Sequence, residues 1–268
     1  QALTYAFDFG DGTPQVGPQS GATASHTYPN PGTFAVTVTV TNAAGLSSTK
    51  QSSVTVTNTP VAAPAYIGQI ATNYSTATKT SSYVTVWRAG GVQAGDFVVI
   101  TLQLADTAPS GAVSGNDDAG NSYAMVTSVS DGAGNRIVVL AGQATNPLAA
   151  NQRINVTFPS STGYRMIADE YSGVSAVDRT AGATGSSGTF SSGPAGVTTT
   201  ASELVFSAVA LPNGSATPSW DSPWKDLGSF AVANRYLGRS HQLVTATGTF
   251  AGSGTASGTW LAVTATFK

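Results

Sequence analysis

Tyr5-Ala-Phe-Asp-Phe-Gly-Asp-Gly-Thr13, answered by His26-Thr-Tyr-Pro-Asn-Pro-Gly-Thr-Phe-Ala-Val-Thr-Val-Thr-Val-Thr-Asn42, decides how this chain is read. Phe7 and Phe9 alternate with Asp8, so one side of the stretch faces a core and the other faces water. Asp11-Gly12 supplies a tight turn, because glycine reaches positive φ without a Cβ clash. Residues 33–41 then alternate strictly, with Phe34, Val36, Val38 and Val40 on one side and mainly threonines on the other. That pattern predicts a half-buried antiparallel strand. Asn42-Ala-Ala-Gly45 reads as a hairpin turn, and residues 53–57 as a further alternating strand.

These residues resemble the PKD (polycystic kidney disease) domain, a small immunoglobulin-like sandwich common in extracellular proteins. The aromatic-Asp-Phe-Gly-Asp-Gly signature is Phe7 to Gly12, and the His-x-Tyr, Pro-Gly and alternating strand are His26, Tyr28, Pro31, Gly32 and residues 34–40. The resemblance covers residues 1–57 and makes Asp8, Asp11, Gly12, His26 and Tyr28 structural, with His26 hydrogen-bonding within the fold. The family places strands ahead of this signature, where almost nothing precedes it here. The expectation is that upstream chain, processing or another subunit accounts for the front. A sheet edge left open there invites strand addition.

The chain has 268 residues, room for one large β domain or two ordinary ones. Charged residues make up 9% against a usual quarter, and Gly, Ser, Thr and Ala fill the space, which suits β-sandwich surfaces. A formal net charge of −2 offers no basic field for a phosphate backbone, so nucleic acid is not the expected partner. Cysteine is absent, which removes disulfides, thiolate catalysis and cysteine metal sites together. No run is long and apolar enough to cross a bilayer, and no signal peptide is visible, so the expectation is a soluble segment without membrane insertion.

Residues 58–64 read as a proline-stiffened linker. A second domain is expected over residues 65–268. Its predicted strands are 83–88, 97–104, 122–129, 136–141, 154–158, 165–171, 203–210, 230–237, 241–247 and 260–267, separated by Gly- or Asp-rich turns. No window shows helical apolar spacing. Runs such as Phe97-Val-Val-Ile-Thr-Leu102 and Leu204-Val-Phe-Ser-Ala-Val209 are apolar on both faces, as central strands of packed sheets are. Residues 182–196, mostly Gly, Ser, Ala and Thr, read as a long loop. The expected fold is all-β: a PKD-type immunoglobulin-like sandwich followed by a larger jelly-roll-like antiparallel β-sandwich.

Gly95-Asp-Phe-Val-Val99, Asp118-Ala-Gly-Asn-Ser-Tyr123, Ile154-Asn-Val-Thr-Phe158, Glu170-Tyr-Ser-Gly-Val174, Glu203-Leu-Val205 and Trp260-Leu-Ala-Val263 also carry a resemblance. In this order they are similar to an uncharacterised β module of bacterial surface proteins and phage tail or capsid-associated proteins. No activity follows from it.

Glutamate occurs only at Glu170 and Glu203. Asp169 and Glu170 are adjacent in a predicted strand and point to opposite faces, so they cannot form a glycosidase pair together. Glu170 with Glu203 would converge only on neighbouring strands; the structural reading pairs Glu170 with Arg165 or with a backbone amide near the Ser172-Gly173 turn. His241 is left as a lone candidate base, and no nucleophile elbow accompanies it.

Asn116, Asp117, Asp118 and Asn121, with Asp131 and Asn135 in the next turn, offer hard oxygen ligands of the kind calcium takes. The same residues are what hairpin turns need for side-chain-to-backbone bonds, and both readings stay open. Trp220-Asp-Ser-Pro-Trp224 offers either a sugar-stacking platform or a plug over the end of a sandwich, whereas Trp87 and Trp260 are expected in the core.

The sequence therefore supports a non-enzymatic extracellular, cell-surface or virion-surface protein in which the first domain is a spacer and the second an adhesion or interaction module. Its expected partners are other protein subunits or cell-surface glycans. The alternative is a carbohydrate-binding appendage of a secreted polysaccharide-degrading enzyme.

Overall fold

The computed structural model describes residues 2–57, 62–186 and 188–268. Two compact units divide the chain, Gln1–Val61 and Ala62–Lys268. Residues 58–61 of the expected linker lie outside the described residues.

The first unit is one antiparallel sheet of β1 (Leu3–Asp8), β2 (Val16–Gln19), β3 (Gly32–Asn42) and β4 (Ser47–Val56), in the order β2-β1-β3-β4. Tyr5 faces Val40 across the ladder and Phe7 faces Val38, which sets the apolar residues of both strands on one side. Phe9 stacks on His26 at 4.2 Å, and Tyr28 stacks on Phe34 at 4.4 Å. Gly10 sits at φ +74°, and a Cβ there would lie 2.6 Å from the Ala35 carbonyl oxygen, so this turn admits glycine alone. The turn predicted at residues 42–45 is present, with the Asn42 Oδ1 accepting from the amides of Ala44 and Leu46. Val36, Val38 and Val40 are only half-buried, because among the described residues no second layer lies over them.

The second unit begins with eight strands: β5 (Ala65–Ser75), β6 (Lys79–Thr85), β7 (Phe97–Ala105), β8 (Ser114–Asp117), β9 (Ser122–Ser130), β10 (Arg136–Gln143), β11 (Arg153–Ser161) and β12 (Gly163–Ser172). Their order is β5-β12-β7-β10-β9-β8-β11-β6. Split between β10 and β9, this gives two four-stranded sheets with the strand order of a jelly roll. The first core lies between them and includes Ile70, Val84, Ile100, Leu102, Val138, Ile154, Phe158 and Met166.

The jelly roll is complete by Ser172, and the rest of the chain builds further layers. Strands β13 (Val177–Gly185), β15 (Glu203–Leu211), β17 (Lys225–Val232), β18 (Arg235–Val244) and β20 (Trp260–Phe267) form a sheet in the order β13-β20-β15-β18-β17. It packs on the outer face of the β5-β12-β7-β10 sheet through a second core containing Val99, Ile137, Ile167, Phe206, Leu237, Val263 and Phe267. A small sheet of β14 (Thr189–Ser191), β19 (Ser253–Thr255) and β16 (Ser219–Trp220) covers the far side through Phe190, Val209, Leu211 and Trp260. Strands β7, β12, β15 and β20 therefore lie between two covering layers, which is why they read as continuous apolar runs.

Several expectations are corrected. Residues 182–196 are not one loop, because β13 and β14 run through them. Their glycines are there for close approach: a Cβ on Gly182 would meet Val129 Cγ2 at 2.2 Å, and one on Gly185 would meet the Trp260 ring at 2.4 Å. The strand expected at 230–237 is broken by a turn at Ala233, whose φ is +53°, and the two halves belong to β17 and β18. Trp87 lies beyond the end of β6 and is 56% exposed, whereas Trp260 is buried as expected.

Candidate functional site

Strand alternation separates the carboxylates of β12. Met166 and Ala168 face the first core, and Glu170 follows them inward. Ile167 and Tyr171 face the second core, and Asp169 lies between them. Glu170 is fully buried; it pairs with the Arg88 guanidinium and accepts from the Gln93 amide at 3.2 Å. Both expected contacts are corrected: the backbone amide is that of Gln93 rather than one near the Ser172-Gly173 turn, and the arginine is Arg88 rather than Arg165, whose side chain lies on the opposite face of β12. Glu203 begins β15 in a different sheet and accepts from the Thr200 amide and hydroxyl at 3.1 and 2.8 Å. Glu170 and Glu203 thus occupy separate environments and share no cleft.

A buried polar constellation sits between the jelly roll and the five-stranded sheet. Arg239 Nε lies 2.5 Å from Asp169 Oδ2, and its second nitrogen lies 3.1 Å from Oδ1. The Tyr66 hydroxyl donates to Asp169 at 3.0 Å, while Arg239 also reaches Gln69 and the Gly228 carbonyl. Burial works against the Arg239 charge, and the Asp169 carboxylate more than offsets it, so the guanidinium pKa rises. Next to this pair, His241 Nδ1 is 3.3 Å from the Tyr171 hydroxyl. Burial, assisted by the charge of Lys225, brings His241 down to about 4. The imidazole is therefore neutral at physiological pH. It is 2% exposed at the base of an open depression of about 410 Å³ formed by Pro223, Lys225, Gln242 and Leu243. No serine oxygen bonds to it among the described residues, and its contact is a core tyrosine.

The two turns expected to share calcium lie at opposite ends of β9. Nine residues of strand separate them by roughly 30 Å, so Asp131 joins no common shell with Asn116, Asp117, Asp118 and Asn121. Asp117 and Asp131 are used by their own turns, and Asp118 by the neighbouring strand β11. Asp117 accepts from the Ala119 and Asn121 amides, the Asn121 side chain and the Tyr123 hydroxyl, all within 3.0 Å. Asp118 accepts from the Arg153 amide, and Asn116 from the Asn155 side chain. Asp131 accepts from the Ala133 and Asn135 amides and the Asn135 side chain. No group of three or more His, Asp or Glu side chains among the described residues is placed to hold a metal.

Trp220 and Trp224 do come together, with ring centroids 5.8 Å apart, but their planes are tilted by 41°. Trp220 also meets the Phe190 ring edge-on at 5.0 Å and packs on the outer core. Its indole nitrogen is buried without a partner. Trp220 is thus partly packed into the outer core, and Trp224 lies against its outer side.

A depression of about 490 Å³ near the β5–β6 hairpin was not legible in the sequence. Asn73, Lys79, Ser81, Tyr83, Asn155 and Thr157 supply its polar wall. Tyr83 is 43% exposed, with the Arg153 guanidinium 4.3 Å from its ring centre.

In the first unit, His26 Nε2 lies 2.7 Å from Asp11 Oδ2, and the Tyr28 hydroxyl donates to the Phe9 carbonyl at 3.1 Å. Asp8 accepts from the Gly10 amide at 2.9 Å. The Thr13 hydroxyl, then His26, hold the Asp11 carboxyl down at about 2. Asp8 is thus engaged within its own turn, whereas His26 and Tyr28 tie the second segment of the motif to the first.

The described residues form an all-β protein of two units. Residues 1–57 match the PKD domain family model. No curated protein matches the chain. A solved structure is similar at 18% identity over 62% of this chain and 78% of its own length, with a TM-score of 0.20; its title describes the structural basis for the promiscuous specificity of carbohydrate-binding modules from the β-sandwich superfamily.

Proposed function

We propose that the chain is a non-catalytic extracellular module pair, with the PKD domain as spacer and residues 62–268 as the interaction module. The observation that carries this reading is the fate of the interior carboxylates. Asp117, Asp169, Glu170 and Glu203 are each tied to an arginine, a tyrosine or backbone amides, and the glutamates face separate environments. Catalytic acid and base groups need instead to reach a common substrate atom. The PKD domain supports a surface or virion setting, with protein subunits or glycans as partners. Its half-covered β3 face and its outer strands β2 and β4 are where a neighbouring chain would add.

Incubation of the purified chain with a panel of polysaccharides and glycoproteins, with released products measured by mass spectrometry, tests the reading. The expected result is retention of some of these molecules without turnover. Product formation that is lost in Glu170→Gln or Glu203→Gln would overturn it.

Carbohydrate binding is the second reading, favoured by the exposed Tyr83 ring beside the polar 490 Å³ depression. Amide and hydroxyl side chains around one open aromatic edge suit a neutral sugar. Trp224 contributes as an outlying ring rather than as half of a paired platform.

A further inference from the structure

Tyr74 on β5, Arg165 on β12 and Gln103 on β7 are register partners and share one face of their sheet. That face looks toward the five-stranded sheet, as the neighbouring Ile167 does. Arg165 is 3% exposed. One of its terminal nitrogens donates to the Val232 carbonyl at 2.6 Å, while its Nε and both polar atoms of the Gln103 amide have no protein partner. Buried polar groups are ordinarily satisfied, so three unpaired atoms at one level of a sheet require an explanation.

A cavity of about 170 Å³ opens beside Arg165, with Gln103 behind its wall rather than in it. Arg165 and Arg235 line it, with Ser75, Thr76, Thr162 and the turn at Asn234. Burial, with the like charge of Arg235, draws the Arg165 pKa down to about 10. Among the described residues, no carboxylate pairs with either guanidinium. A buried arginine beside a second arginine is costly unless a counter-charge joins them.

We propose that this cavity binds a small oxyanion: a carboxylate or sulfate group, either free or carried on an acidic sugar. Arg165 and Arg235 bring two guanidinium charges to the wall, planar forks of the kind that such anions match. The Ser75 and Thr162 hydroxyls are already donated to the Ala77 carbonyl and the Asp106 carboxylate, so the guanidinium groups carry the binding. The space equals that of about six waters, enough for one oxyanion with a short attachment. Tyr74, 50% exposed and edge-on to Phe230 at 5.9 Å, stands at the same level as a flat surface for an attached ring. The site uses none of the residues that carry the module reading, so the two stand or fall separately.

Amide NMR titration of the full chain with sodium acetate, sodium sulfate, sodium glucuronate and glucose, at matched ionic strength, tests the proposal. Saturable shifts at Gly163 and Asn234 are expected with the anions and not with glucose. Tighter binding of glucuronate than of acetate assigns the acidic sugar as the source, and equal affinities assign the free anion. Arg235→Gln should weaken binding by about tenfold or more, the loss expected for one charge-assisted contact. Arg165→Lys, which keeps charge but loses the fork, should weaken it too; if that variant fails to fold, Arg235→Gln decides. Absence of saturable shifts with all three anions, equal shifts with glucose, or unchanged affinity in the folded variants would overturn the proposal.

Discussion

Asp169 and Arg239 join two sheets that are distant in sequence, with Arg239 nitrogens 2.5 and 3.1 Å from the two carboxylate oxygens and both side chains buried. Removing one partner leaves a buried charge unpaired. Asp169→Asn or Arg239→Met should each cost about 3–5 kcal/mol of unfolding free energy in urea titrations. The Asp169→Leu/Arg239→Met double variant, which buries no charge, should lie nearer wild type than the sum of the singles.

His241 makes stability depend on pH. Its folded pKa of about 4 lies below the unfolded value of 6.5, so between these values the unfolded chain binds more protons. The imidazole therefore contributes its full stability above about pH 6.5, and the contribution is lost as pH falls toward 4. Thermal melts across this window should show a falling midpoint on acidification, with a shallower slope in His241→Gln.

The two tryptophans should separate by readout. Trp220→Ala empties space beside Phe190 and should destabilise by about 1–3 kcal/mol, less than a fully buried tryptophan, when followed by chemical denaturation. Trp224→Ala should change stability less. If glycan binding is found, affinity electrophoresis should show it more sensitive to Tyr83→Ala than to Trp224→Ala.

Local pattern made much of the fold legible. The alternation of Phe34, Val36, Val38 and Val40 gave β3, and the two-sided apolar runs at Val99 and Phe206 gave central strands. What periodicity does not encode is which layer covers which face. Central strands look alike in a jelly roll and in the sheet stacked upon it, so its completion at Ser172 was hidden. Small residues misled at Gly182 and Gly185, where glycine marks tight packing under Val129 and Trp260 rather than a loop. The site was less legible because its contacts are non-local. Tyr66, Asp169 and Arg239 meet only after three strands pair, and Arg88 reaches Glu170 from a loop without a recognisable motif. The Asp and Asn residues of the two turns showed their chemistry but not that β9 holds them apart.

The central claim is that the interior carboxylates serve the fold. Residues evolved for catalysis typically compromise stability, so replacing them tends to leave it unchanged or raise it. Urea unfolding of Glu170→Gln measures this directly. Because the substitution removes the charge facing Arg88 and weakens the bond from the Gln93 amide, unfolding free energy should fall by about 1–3 kcal/mol. A variant as stable as the parent, or more stable, would contradict the account.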